Sequence, residues 1–563
     1  MKKAISPSMA CPEFVADYAP NEEVCVERLL KQVSFDAAAQ QRIKATATDL
    51  ITALRAEQSW VGDVDDFLHT FGLSTDEGLA LMVLAEALLR VPDSRTADTL
   101  IEDKLGSESW HFSDQGKPFV TASTWALALG ARLTKPQEGP QAMVMQAVQR
   151  LGKPTVRTAT RQAMKILGRH FVLGQTIDAA LKRAHKREKA GYRYSFDMLG
   201  EGARTALDAA RYYAAYAQAI ETIGKSQGKA SLPSRAGISV KLSALHPCYH
   251  ETHKEQVLED LVPKVTALAQ TAKKYDLNFT IDAEEAERLS LSLDIFSAVA
   301  SSETLAGWTG LGLAVQAYQK RAGAVIDWLV NLADMLDRQF MLRLVKGAYW
   351  DTEIKLAQEE GLTDYPVYTR KTSTDLSYII CAQKIAAAGA RIYGQFATHN
   401  ALTTASIIEL FRDRPGTFEF QCLHGMGEAL YENLTEKQKI AACRIYAPVG
   451  SHEDLLAYLV RRILESGANS SFVNTIQDES VPVEQLTLQP WEMLPAYASY
   501  RNTAIALPEN ILGGTRKNAM GLSLGDRTKT DRFMARLAKT GDRFDTVMSL
   551  INGADIKNGN ARP

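Results

Sequence analysis

The alternation of apolar and polar residues divides the chain near residue 190. From Asn21 to about Lys189 apolar residues recur at spacings of three and four, the period of helices with one buried face. Glu77–Arg90 (EGLALMVLAEALLR) is the clearest instance, and a second series over Gln141–Lys189 is broken at Gly152–Lys153–Pro154 and Gly168. Residues 1–20 are polar and proline-bearing and are expected to be disordered, so 21–190 reads as a helical arm and α-domain. Beyond Gly191 short β-rich runs alternate with helical stretches: Arg193–Leu199, Ile238–Leu245, Phe279–Ala283, Gly312–Tyr318, Met341–Tyr349, Ile392–Thr398, Phe418–Leu423 and Arg444–Val449. Repeated βα units call for a parallel sheet, and eight of them for a closed (β/α)8 TIM-like barrel over 191–480. An open doubly wound sheet competes, but the number of units and the missing phosphate-loop fingerprint favour closure. Past about Glu479 both periodicities fade among Pro482, Pro490, Pro495, Pro508 and Gly513–Gly514, leaving 481–563 as an extended tail with a short helix near Thr530–Lys539.

Composition narrows the function classes. With 64 basic and 66 acidic side chains the formal charge is -2, so nothing points to a nucleic-acid partner. The six cysteines form no CxxC pair, against a disulfide scaffold or zinc ribbon and in favour of reduced, cytosolic thiols. The amino terminus lacks the apolar run of a signal peptide, and the longest apolar stretch, Gly78–Val91, is interrupted by Glu86 and Arg90. Any membrane contact is expected to be peripheral.

Barrel enzymes keep their reactive groups at strand carboxyl ends. There the chain carries Lys241, Asp282, Gln316, Arg343, Lys346, His399, Asn400, Gln421 and Tyr446. A single such residue is ordinarily the solvent-facing half of the strand alternation, but the conjunction over eight runs calls for a common polar object. After the last run, SHEDLLAYLVRRILESGAN begins with a near capping box (Ser451, Asp454) and stops at Gly467. Tyr458, Arg461, Arg462 and Glu465 share one face of that helix. Two guanidiniums there suit a carboxylate ligand, while a solvated face with an Arg461–Glu465 pair is the plainer reading. Three other signals carry less. GLGLAV in Trp308–Val315 lacks the third glycine of a dinucleotide loop, the His246, Cys248, His250, His253 group fits no familiar metal spacing, and the basic end at Lys182–Lys189 complements a helix dipole.

The motifs GISVKLSALHPCY, FTIDAEEAERLSLSLDIF, AVQAYQKRA, MLRLVKGAYWDTEIKLAQEEGLTDYPVYTRK, QFATHNALT, FEFQCLHGMGEALYE and RIYAPVGSHEDLLAYLVRRILESGANSSFVN, in this order, resemble the proline dehydrogenase barrel of the proline utilization A (PutA) family over about residues 21–480. The resemblance implies a distorted barrel holding FAD noncovalently, and oxidation of L-proline to Δ1-pyrroline-5-carboxylate with electrons passed to a membrane quinone. It implies that Arg343 approaches the flavin, and that Val345, Lys346, Gly347, Ala348 and Trp350 line the dinucleotide. Gln316, Thr369, Lys371, Thr398, His399, Asn400, Gln421 and Leu423 resemble further FAD contacts. Arg461, Arg462 and Lys241 resemble a clamp on the proline carboxylate, with Glu465 as the partner of Lys241. Asp282, Tyr349, Leu423, Tyr446 and Tyr458 resemble the remaining pocket, with Arg343, Asp282 and Tyr349 as the catalytic set. A flavin-free lyase using Lys241 as a Schiff-base amine is the alternative on the same barrel. Full-length relatives continue into an aldehyde dehydrogenase domain, and 481–563 is expected to be the start of the linker to it.

Overall fold

The computed structural model describes residues 12–56, 172–450 and 480–540, with isolated residues at 155, 158–160, 458 and 476 and two short strands at 549–551 and 554–556. The helices expected at Glu77–Arg90 and in most of Gln141–Lys189 lie outside the described residues.

Eight parallel strands close into one barrel. They are β1 (Arg193–Met198), β2 (Gly237–Val240), β3 (Asn278–Ile281), β4 (Leu311–Gln316), β5 (Phe340–Val345), β6 (Ile392–Ala397), β7 (Phe418–Leu423) and β8 (Cys443–Val449). The ring is sealed by β1 against β8, in register from Arg193↔Arg444 to Met198↔Val449. All eight expected runs are strands, but two stop well short of their expected ends. The second ends at Val240 and turns through a single 3-10 turn at Leu242–Ala244, and the fifth ends at Val345. In each case the chain leaves the sheet where its charged residue, Lys241 or Lys346, begins the connection.

Ahead of the barrel stand α1 (Glu22–Leu30), α2 (Ala37–Ala56) and α3 (Ile177–Glu188). Around it run α4 (Ala206–Ser226), α5 (Lys254–Lys274), α6 (Leu289–Ala300), α7 (Ala322–Met335), α8 (Trp350–Glu359), α9 (Lys371–Ala387) and α10 (Ala401–Leu410). Caps mark several starts: the Asn21 side chain accepts from the Val24 N–H, and Thr205 and Asp208 form a reciprocal capping box on α4. Successive strand side chains point to opposite faces. The outward set, including Phe196, Ile238, Phe279, Leu313, Leu342 and Phe420, joins Leu261, Val265, Phe296, Val325 and Ile385 of the helices in one core. Burial of such side chains stabilises the fold by roughly 1.5–3 kcal/mol each.

The tail expected to be disordered to residue 20 is packed from residue 12 onward. Phe14 and Tyr18 are buried, and the Pro12 carbonyl accepts from the Trp328 indole at 2.7 Å. Two aromatic anchors outweigh the polar composition that suggested disorder. Farther along, α1 packs Cys25 and Val26 on Leu376 and Ile380 of α9, and α2 packs Ile43 and Ala47 on Leu402 and Ala405 of α10. The expected late helix is α11 (Arg527–Thr540). Of the rest of the tail, 480–526 forms short turns, two of which dock Leu494 beside α1 and α9. The strands at 549–551 and 554–556 pair antiparallel. His246, in the cluster weighed as a metal site, accepts the Cys248 N–H on Nδ1 at 3.1 Å and meets Asp260 through Nε2 at 3.2 Å. Both ring nitrogens serve the loop.

Candidate active site

Inward-facing positions of a (β/α)8 barrel are ordinarily filled by branched apolar side chains. Here polar residues occupy many of them, in two layers beside Ala314 and Met341. The lower layer centres on Glu419 of β7. Arg444 reaches it through Nε at 2.5 Å and Nη2 at 3.1 Å, Arg193 through Nη1 at 2.7 Å, and the Gln395 amide at 2.8 Å. Glu419, Gln395 and Arg444 are fully buried. Burial pushes the Glu419 carboxyl up, but the Arg444 and Arg193 guanidiniums outweigh it and hold the pKa below the ordinary value.

The upper layer sits at the strand carboxyl ends. Arg343 of β5 donates from Nη1 to Asp282 at 2.6 Å, from Nε to Gln421 at 2.7 Å, and from Nη2 to Ser195 at 3.0 Å and Ser239 at 2.9 Å. Lys241 donates to Asp197 at 2.9 Å, Asp282 at 3.3 Å and the Tyr446 hydroxyl at 3.3 Å. Tyr446 donates in turn to Asp282 at 2.7 Å, and the Arg343 guanidinium lies 5.0 Å from its ring centroid. Two cations thus face two carboxylates. Burial alone would lower the Lys241 pKa, but Asp197, Tyr446 and Asp282 together raise it well above the ordinary lysine value. Burial, Asp197 and Asp282 likewise raise the Tyr446 phenol. Lys241 is therefore held as an ammonium, which is unfit to attack a carbonyl as an amine and weighs against the Schiff-base reading. Gln421 joins the layers, accepting from Arg343 and donating to Glu419 at 3.3 Å.

Around the mouth a second group forms a rim. Gln316 accepts from the Ala348 N–H at 3.2 Å and donates to the Glu284 carbonyl at 2.8 Å, shaping the turn after β5. Gly347 holds φ 143° there, and a Cβ would meet the Tyr318 ring at 2.4 Å, so only glycine fits. Trp350 donates its indole N–H to the Tyr368 carbonyl at 2.9 Å. Lys346 and Lys371 flank the start of α9, whose first turn carries no acid. Lys371 keeps an exposed surface, yet the protein packed around it and the Lys346 ammonium both lower its pKa. Asp375 pairs with Lys346. Excess cations beside a long helix's amino terminus suit the phosphates of a dinucleotide, and this donor set fits FAD. On the opposite side, Tyr431 bonds the Thr398 carbonyl, Leu423 N–H donates to His399 Nε2 at 3.4 Å, and Asn400 caps α10.

The expected residues do not all join one cluster. For Lys241 the resemblance implies a share in a substrate clamp; in the structure its ammonium donates to Asp197, Asp282 and Tyr446. Asp197 and Asp282 are its partners among the described residues, whereas Glu465 lies outside them, as do Arg461 and Arg462. Tyr349 is buried in a separate cluster with Tyr18, Ala286, Tyr318 and Tyr365. The Thr369 hydroxyl is engaged by the amino-terminal arm and the tail. Tyr458 is buried, and Val345 and Leu423 end their strands half-buried. Ser195, Asp197, Ser239, Glu419 and Arg444 went unrecognised in the sequence. Their signal is a polar residue at every second position of otherwise apolar runs, as in RYSFD and FEFQ.

Comparison with known proteins places this arrangement. A family model described as "Proline dehydrogenase" matches residues 180–475, more than half of the chain. One described as "Proline utilization A proline dehydrogenase N-terminal domain" matches 16–55. A third, "DNA-binding domain of Proline dehydrogenase", matches 63–171, almost wholly outside the described residues, and its description runs counter to the expectation of no nucleic-acid partner. The bifunctional protein PutA of Salmonella typhimurium is 45% identical over 540 residues, covering 92% of this chain and 41% of that protein. Proline dehydrogenase 1 of Bacillus subtilis strain 168 is 28% identical over 324 residues, 57% of this chain and 94% of that protein. A crystal structure of a mutant Bradyrhizobium japonicum proline utilization A superposes with a TM-score of 0.74 at 52% identity, over 94% of this chain and 53% of that one. The chain thus spans less than half the length of the Salmonella relative. No helix among the described residues is long and apolar enough to cross a membrane.

Proposed function

The chain belongs to the proline dehydrogenase family, and from that premise we propose that it oxidises L-proline to Δ1-pyrroline-5-carboxylate with FAD, passing the electrons to a membrane quinone during peripheral contact with the bilayer. The observation that carries this reading is the Arg343–Asp282–Lys241–Tyr446 cluster, fixed at the barrel mouth by nine named hydrogen bonds within and around it.

Gln316, Val345, Lys346, Gly347, Ala348, Trp350, Lys371, Thr398, His399, Asn400, Gln421 and Leu423 would hold FAD, with Lys346 and Lys371 toward its phosphates. Bound there, FAD supplies an acceptor for the hydride equivalent leaving proline C5. The chain's own groups do the rest. Arg461 and Arg462 would bind the proline carboxylate, since a guanidinium can donate two parallel hydrogen bonds to it, and so fix the ring by orientation. Arg343 presents positive charge already locked by Asp282, Gln421 and the two serines, so it needs no rearrangement as charge shifts. Lys241 holds Asp197, Asp282 and Tyr446 in one arrangement and keeps its proton. The Tyr446 face narrows the pocket to a small cyclic amino acid.

The test is optical. The purified chain should carry a flavin spectrum that bleaches on anaerobic addition of L-proline and stays unchanged with L-alanine. A colourless protein, or a flavin that proline leaves oxidised, would sink the reading. Arg461→Met and Arg462→Met should each raise KM for proline strongly, by the equivalent of roughly 2–4 kcal/mol, with flavin content retained.

A further inference from the structure

Two adjacent carboxylates of the amino-terminal arm reach the rim of the proposed cofactor site. Glu22, the first residue of α1, accepts on Oε1 from the Thr369 backbone N–H at 2.8 Å and from the Thr369 hydroxyl at 3.1 Å. Its own N–H donates to Asp364 at 3.0 Å. Lys320, its side chain wholly buried, lies 3.1 Å from Asp364 and 3.9 Å from Glu22 and donates to the Pro20 carbonyl at 3.0 Å. Glu23 faces the tail, accepting the N–H groups of Tyr500 at 3.1 Å and Arg501 at 3.2 Å and the Ser499 hydroxyl. The Asn502 N–H closes the circuit by donating to the Thr369 hydroxyl at 2.8 Å.

Three segments far apart in the chain, 22–23, 364–369 and 499–502, are thereby stapled at one residue, Thr369. Directly after it come Arg370 and Lys371, where α9 begins and the cationic rim lies. Apolar packing of Cys25 and Val26 on α9 already holds the arm against the barrel. A fully buried carboxylate is a costly addition to such a contact, and burial pushes Glu22 up to about 7. Fixing the turn at Thr369–Lys371 is what the carboxylates add and the apolar contact does not.

We propose that Glu22 and Glu23 are positioning residues that hold the Thr369–Lys371 turn in the conformation that receives the FAD phosphates, making the amino-terminal arm a part of the cofactor site. This rests on the flavin reading above. The full chain, stripped of flavin, is titrated with FAD and followed by quenching of flavin fluorescence. Glu22→Ala weakens FAD binding at least about tenfold, the scale of ordering one or two side chains on association. Arg42→Ala, which cuts the arm's exposed contact with Glu409 at 2.5 Å, leaves it unchanged. Thr369→Val removes only the hydroxyl half of the staple and weakens binding less, and the double variant with Glu22→Ala loses less than the sum of the two single losses because the Thr369 hydroxyl bond is counted in both. Should Glu22→Ala fail to fold by circular dichroism, Glu23→Ala, which touches the tail and not the proposed FAD contacts, carries the test with a loss in the same direction. FAD affinity in Glu22→Ala within about twofold of wild type, or additive losses in the double variant, overturns the staple alone. A wild-type chain that takes up no FAD overturns the flavin reading, and the staple with it.

Discussion

At the bottom of the barrel one carboxylate, Glu419, faces two guanidiniums, while at the strand carboxyl ends two carboxylates, Asp197 and Asp282, face two cations. The residue types are the same and the outcomes differ. The lower layer fastens β1, β6, β7 and β8 to one another, with Glu419, Gln395 and Arg444 fully buried and only Arg193 reaching the surface of the layer. The upper layer matches two cations with two carboxylates, so that Arg343 and Lys241 each have their donors fixed by named partners. A polar barrel interior is thus a structural commitment at one end and a preorganised site at the other, with Gln421 tying the two.

The largest effect expected on this contrast comes from Glu419→Ala. It strands the buried Arg444 guanidinium and the half-buried Arg193 beside it and should cost about 3–5 kcal/mol of stability in chemical denaturation. A loss under about 1 kcal/mol would dissolve the distinction between the layers. Next, Asp282→Asn keeps the shape but leaves Arg343 and Lys241 short of one charge, so it should cost less stability than Glu419→Ala while lowering turnover roughly 100-fold, the scale of one preorganised charged contact. Gln421→Met removes the link and leaves Arg343 Nε without its acceptor. About 1–3 kcal/mol of stability should go, measured by urea unfolding.

The smallest effect concerns a carboxylate outside both layers. Glu353 is buried, accepts the Ala286 N–H at 2.7 Å, and is pushed up to about 7 by burial, with Arg321 offsetting little of it. The folded state therefore holds its proton at pH values where the unfolded chain, near 4.5, has released it. That contribution to stability is complete below about 4.5 and is lost as pH rises through about 7. Glu353→Gln should flatten this decline in a pH series of unfolding free energies. An unchanged slope would mean that Glu353 does not titrate as its burial dictates.

Much of this architecture was legible in the sequence, because strand alternation and strand number follow from local pattern. The eight runs and the strand-end residues Asp282, Arg343, Gln421 and Tyr446 all fall where a period of two places them. Asp197 and Glu419 obey the same period, but an acid amid Tyr, Phe and Met looks like a solvent-facing position until the barrel closes around it. The partner of Lys241 could not be read at all, since Asp197 lies 44 residues away on a neighbouring strand. Nor could the packing of residues 12–20, whose anchors Phe14 and Tyr18 are too sparse to show a period.

The seam between β1 and β8 joins residues about 250 apart in sequence, such as Arg444 and Tyr194. During synthesis the first strand must wait, one edge bare, until nearly the whole barrel has left the ribosome. Such long-range pairing is slow and leaves an unsatisfied strand edge open to other chains. A nascent chain halted before Cys443 should accordingly be a substrate for chaperones or a seed for aggregation, and its solubility should recover once the last strand, with Arg444 to seat against Glu419, is released.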